Sequence, residues 1–235
     1  VEHYIVSRYQ MYMQVYFHPV SRGMEQILKH LLARAKWCYR QEDIKMKTPI
    51  GLLEPFLFEN WTLEDYLRLD DTVLHSYFVH WSLEDDRVLA DLSYRFLNRK
   101  PDKSIIVNKK EITQLSIALR DELFTFGYDP EYYFSENSSY DLPYDHYRPD
   151  HLSKNTQIEL VTKTNQMVEL SQVSALVNSL TGKSRGDHRL YFPKELLLEF
   201  DTIPADQLNE NQKMILAAYV NERNDVTHQI QQRLF

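Results

Sequence analysis

Ser7-Arg8-Tyr9-Gln10-Met11-Tyr12-Met13-Gln14-Val15-Tyr16-Phe17-His18-Pro19-Val20-Ser21-Arg22-Gly23-Met24-Glu25 runs on into Ile27, Leu28, Leu31, Leu32 and Ala35. Those last five apolar positions recur at the spacing of a helix that buries one face. Pro19 interrupts the pattern, because it lacks an N–H and its ring collides with the preceding turn. The stretch from about Tyr4 to Arg40 therefore reads as two helices, or as one kinked at His18-Pro19. Either way, His18 and Arg22 fall on the shoulder of the bend.

Outward from this stretch, residues 46–58 form a turn-rich connector with Thr48-Pro49-Ile50-Gly51 and Glu54-Pro55. Three helices are expected next: one capped by Thr62 with Asp65 three residues on, one opened by Asp70-Asp71, and one opened by Ser82 with Asp85. After Pro101 the pattern changes to a short β-rich run at Ser104-Ile105-Ile106-Val107. A helix over 111–126 follows, with Gly127 as its stop signal. Gln157–Val161 and Met167–Leu170 read as a hairpin, Ser171 as the cap of a helix to Leu180, and Arg189–Phe192 as a last strand. A long helix begins near Pro204. The fold class is mainly α with a smaller α+β lobe, divided softly near Pro101 into a helical lobe at 1–100 and a mixed lobe at 101–235.

The 235 residues are 43% hydrophobic, enough to bury a sizeable core. No apolar run approaches the roughly 18 residues of a membrane span. One cysteine, Cys38, cannot form an internal disulfide, which suits a reducing cytoplasm. The net charge of −7 argues against general nucleic-acid binding. Charge is uneven, however: Arg8, Arg22, Lys29, Arg34, Lys36 and Arg40 face only Glu2 and Glu25 in the first 41 residues. A basic segment in an acidic chain suits a local polyanion site such as a triphosphate.

Few constellations suggest chemistry by themselves. Asp145-His146 and Asp150-His151 lie in a proline-broken loop with no third ligand cluster near in sequence, and read as part of a polar loop at the surface. His75 and His80 are five apart and do not share a helix face. Five glycines build no phosphate loop, and neither a nucleophile elbow nor a cysteine zinc spacing is present.

The opening string, SRYQMYMQVYFHPVSRGME, resembles the helix that follows the metal-binding core in bacterial HD-domain phosphohydrolases of the deoxynucleoside triphosphate triphosphohydrolase type. Three later strings are similar to the same family's C-terminal region: WTLEDYLRLDD from Trp61, YRFLNRK from Tyr94 and GYDPEYYF from Gly127. The resemblance implies an HD-like C-terminal region in which a divalent metal is held by a His, a His-Asp pair and a later Asp, all upstream of Val1. No histidine here is followed by Asp. The chain is therefore expected to be a C-terminal part, inactive alone, with an absent HD core as its partner.

In such enzymes, metal-activated water attacks the α-phosphorus of a deoxynucleoside triphosphate and releases inorganic triphosphate. The resemblance places His18 at a histidine near the substrate phosphates. Gln14 and Arg22 stand where a vertebrate relative has an arginine and a tyrosine that contact the nucleotide. It also implies tetramers, and places Lys163 near an allosteric nucleotide contact. Two alternatives stay open: a non-catalytic nucleotide-sensing or oligomerisation module, and an HD enzyme acting on another phosphoester.

Overall fold

The computed structural model describes residues 2–108, 110–138, 158–161, 165–180 and 188–221. It is mostly helical, with a three-stranded sheet and a separate two-stranded hairpin, in agreement with the expected class. Contacts group the chain into two compact units, one made of Val1–His18 with Ser138–Asp187, the other of Pro19–Asn137 with His188–Phe235. Pro101 lies inside the second unit, whose single core takes Ile27, Trp81 and Leu92 from before it and Ile105, Leu119 and Phe200 from after it.

In the first unit the helix Glu2–Met11 continues as a π-type turn over Tyr12–Tyr16, where the Phe17 N–H donates to the Tyr12 carbonyl five residues back at 2.8 Å. The widened turn is a local answer to Pro19, whose ring cannot stack under a regular α-turn. Strands Glu159–Val161 and Met167–Glu169 pair antiparallel, as the hairpin pattern predicts, with Glu159 opposite Glu169. Ile5, Leu170 and Val177 form a small core. The helix expected from Ser171 to Leu180 is two short ones, Leu170–Val173 and Ala175–Leu180, broken at extended Ser174. Glu169, not Ser171, caps the first, accepting from the Ser171 N–H at 2.8 Å. A carboxylate at a helix start meets free N–H groups and the positive dipole end together.

The spine of the second unit is the helix Pro19–Arg40, with Pro19 in the first turn where a missing N–H is harmless. Ile27, Leu31, Ala35 and Cys38 line its buried face. Against it packs the helix Arg87–Leu97, on which the helix Asp71–Trp81 packs in turn, and the Trp81 indole N–H donates to the Tyr39 hydroxyl of the spine at 3.0 Å. Thr62 and Asp65 form the expected capping box, and Asp70 caps the next helix through the Val73 N–H at 2.8 Å. The third start is shifted. Asp86 is the cap, accepting from the Leu89 N–H at 2.8 Å, while Ser82 closes the preceding helix by donating to the Val79 carbonyl at 2.7 Å.

Strand Lys103–Val107 pairs antiparallel with His188–Phe192, with Lys103 opposite Phe192 and Ile105 opposite Leu190. Ser135–Ser138 lies on the other side of His188–Phe192. Helix Ile112–Thr125 and helix Lys194–Asp201 complete the core, and residues 210–221 are helical. Asn209 and Gln212 both donate to buried Glu122, at 2.7 and 2.9 Å, and tie this last helix down.

Candidate functional site

The pairing of Lys103 with Phe192 brings two distant segments side by side, 95–104 and 193–198. Between them, in the second unit, opens a cavity of about 760 Å³. Arg95, Arg99, Lys100, Lys103 and Lys194 contribute five cations to its wall, against the carboxyls of Asp102 and Glu195. Leu198, Val20 and Tyr219 supply apolar surface. This balance is opposite to that of the whole chain.

Arg95 organises the floor. Its side chain is 6% exposed, and its guanidinium donates to Asp91 at 2.6 Å and to Glu195 at 2.9 Å, joining the helices Arg87–Leu97 and Lys194–Asp201. The Tyr133 hydroxyl donates to the same Asp91 oxygen at 2.8 Å. Burial works against the Arg95 charge, but its hydrogen bonds to the Asp91 and Glu195 carboxylates, with their negative charges, outweigh it and raise its proton affinity further. Burial pushes the Tyr133 phenol upward, and the neighbouring Asp91 adds to the rise.

The helix Arg87–Leu97 ends in a Schellman turn: the Lys100 N–H donates to the Arg95 carbonyl at 2.9 Å and the Arg99 N–H to the Phe96 carbonyl at 3.3 Å. Arg99 therefore sits at φ +51°, in the left-handed region that glycine normally fills. The Lys100 ammonium lies 4.5 Å from the Tyr94 ring centroid.

Asp102 is partly buried in the cavity wall. Burial pushes its carboxyl up to about 7, with Arg95 opposing the rise and Glu195 and Asp91 adding to it. No described group donates a hydrogen bond to this carboxyl.

Of the residues singled out by the family resemblance, none is among those that line the cavity. Gln14 is exposed on the π-type turn, and His18 is exposed, its backbone N–H reaching the Val15 carbonyl at 3.4 Å; both belong to the first unit. Arg22 belongs to the second, where it pairs with Glu25 at 2.8 Å. Lys163, Asp145-His146 and Asp150-His151 lie outside the described residues. Among the described residues no three His, Cys, Asp or Glu side chains converge as a metal-ligand set. No described helix is long and apolar enough to cross a membrane. The cavity residues carried only one signal in sequence, the basic YRFLNRK string.

No family model matches the chain. It is 43% identical over 200 residues to an uncharacterized protein, YwfO, of Bacillus subtilis, an alignment covering 85% of this chain and 46% of that protein. The chain thus spans about half the length of the curated relative it matches. A solved phosphohydrolase from Bacteroides thetaiotaomicron superposes over 82% of this chain and 49% of its own, with a TM-score of 0.61 and 24% identity. The chain shares its fold with that half of a phosphohydrolase.

Proposed function

We propose that this chain is the ligand-binding C-terminal part of a metal-dependent HD-type hydrolase that cleaves deoxynucleoside triphosphates to deoxynucleoside and inorganic triphosphate. The metal and the water-activating chemistry belong to residues outside this sequence. The carrying observation is the cavity with five cationic side chains in an otherwise acidic chain. Guanidinium and ammonium groups at a partly desolvated wall bind phosphate oxygens through charge-assisted hydrogen bonds. The cavity is also large enough for a nucleotide.

The cavity wall is dominated by cations and holds no histidine, and its proposed part in the reaction is binding. That favours nucleotide sensing over direct substrate cleavage at this place, and it leaves His18, Gln14 and Arg22 as the proposed substrate-side residues. A homotetramer in the cytoplasm is part of the same reading.

Two assays test it. Deoxynucleoside triphosphates should bind the chain, with affinity falling in the double variant Arg99→Ala, Lys103→Ala and with rising salt. On the intact protein with manganese or magnesium, the product should be inorganic triphosphate. Release of orthophosphate or pyrophosphate would overturn the assigned reaction.

A further inference from the structure

We infer that Tyr133 is a positioning residue of the cavity: through Asp91 it holds the Arg95 guanidinium in place before a ligand arrives, with Nη2 as the donor offered to phosphate oxygens. This rests on the proposed reading of the cavity as a phosphate-ligand site.

Asp91 and Arg95 are four residues apart on the helix Arg87–Leu97, so their pairing alone is a local one. The Asp91 side chain is 37% exposed, and an ion pair so open to water holds its geometry weakly. A second donor supplies the missing restraint. Asp91 Oδ2 accepts from Arg95 Nε at 2.6 Å and also from the Tyr133 hydroxyl at 2.8 Å. Tyr133 is 42 positions from Asp91, is buried, and packs its ring edge-on against Tyr128 with 5.1 Å between centroids. Burial also keeps its phenol in the protonated, donating form.

Arg95 lines the cavity with a side chain that is 6% exposed. A guanidinium carries its N–H donors in one plane, so bonds from Nε to Asp91 and from Nη1 to Glu195, on two different helices, fix that plane. Nη2 has no acceptor among the described residues and is not sealed from solvent. It is the nitrogen of this group left for a ligand. An arginine already ordered gives up little rotamer freedom on binding, so its bond to phosphate is gained nearly whole.

The test is a double-mutant cycle read as affinity for the four deoxynucleoside triphosphates, by calorimetry on the 235-residue chain. Tyr133→Phe keeps the ring and removes only the hydroxyl. It should weaken the tightest-binding nucleotide roughly three- to tenfold, the worth of one hydrogen bond. In an Arg95→Lys background, where an ammonium cannot hold both carboxylates and still present a third nitrogen, Tyr133→Phe should cost nothing further. A role in general packing would give the same loss in both backgrounds, and that result overturns the inference. So does unchanged affinity in Tyr133→Phe alone. If Arg95→Lys does not fold, Asp91→Ala takes its place in the cycle, with the same two readings. Each of these failures leaves the cavity standing as a nucleotide site. Failure of all four nucleotides to bind wild type, or binding indifferent to Arg99→Ala with Lys103→Ala, overturns the cavity reading and this inference with it.

Discussion

Arg34 and Asp86 meet through two parallel hydrogen bonds, Nε to Oδ1 at 3.0 Å and Nη2 to Oδ2 at 2.7 Å. Asp86 also caps the helix Arg87–Leu97 through the Leu89 N–H, so one carboxylate both starts that helix and fastens it to the spine. The Arg34 guanidinium also lies 4.0 and 4.9 Å from the ring centroids of Trp37 and Tyr132.

Asp86→Ala should destabilise the chain by roughly 3 kcal/mol, because it removes a helix cap and strands a largely covered guanidinium. Burial opposes the Asp86 charge, but Arg34 and the Leu89 N–H hold its carboxyl below the usual range. The stabilisation is therefore complete above the unfolded value and is lost as pH falls through the lower folded one. Urea titrations at pH 7 and pH 3 check this: the gap between wild type and variant should narrow at the acid end.

Arg99→Gly should separate stability from binding. Glycine removes the left-handed strain at φ +51° and should raise stability by about 1 kcal/mol, while losing a cation from the cavity. A higher melting temperature with weaker nucleotide affinity is the expected pair of results.

Asp102→Asn should stabilise the chain at pH 8 and have little effect at pH 4. The folded carboxyl titrates near 7, above its unfolded value, so the native state prefers the proton. No penalty exists below the unfolded value; it grows as pH rises and levels off above about 7. Solvent in the cavity tempers the size, which should be roughly 1–3 kcal/mol at pH 8. Thermal melts of both proteins across this range measure it.

Gly51→Ala should be destabilising beyond the usual cost of a left-handed alanine. At φ +50°, an added Cβ would lie 2.6 Å from the Tyr77 hydroxyl, which donates to the Ile50 carbonyl at 2.8 Å. A loss of about 2–3 kcal/mol combines backbone strain with a displaced hydrogen bond. In a Tyr77→Phe background the loss should shrink, and a double-mutant cycle reads the coupling.

The isolated chain should show no turnover of deoxynucleoside triphosphates with added manganese or magnesium, since the metal ligands are proposed to lie outside it. Measurable release of inorganic triphosphate would contradict that division of labour.

Sequence periodicity and caps were enough for the helical spine, the Thr62 and Asp70 helix starts, the hairpin and the strand ending at Phe192. Each depends on residues within a few positions of one another: apolar spacing, a side-chain oxygen three residues before an N–H, or a β-branched run. The start at Ser82 was misplaced because Asp86 satisfies two partners at once, the local Leu89 N–H and the distant Arg34 guanidinium. Residues 52 positions apart leave no periodic trace of such a bond.

The amino-acid sequence by itself determined a mainly helical class with a small β component, the interruption at Pro19, an acidic chain with basic islands, and the resemblance that motivates the hydrolase proposal. Tertiary structure alone decided the cavity. Lys103 and Lys194 lie far apart in the chain and become neighbours only because Lys103 pairs with Phe192 across the sheet. Strand register is chosen by the core, through Ile105 opposite Leu190, and not by the charges that it happens to gather. Asp102 was equally silent in sequence, because its raised proton affinity comes from burial beside carboxylates on two separate helices.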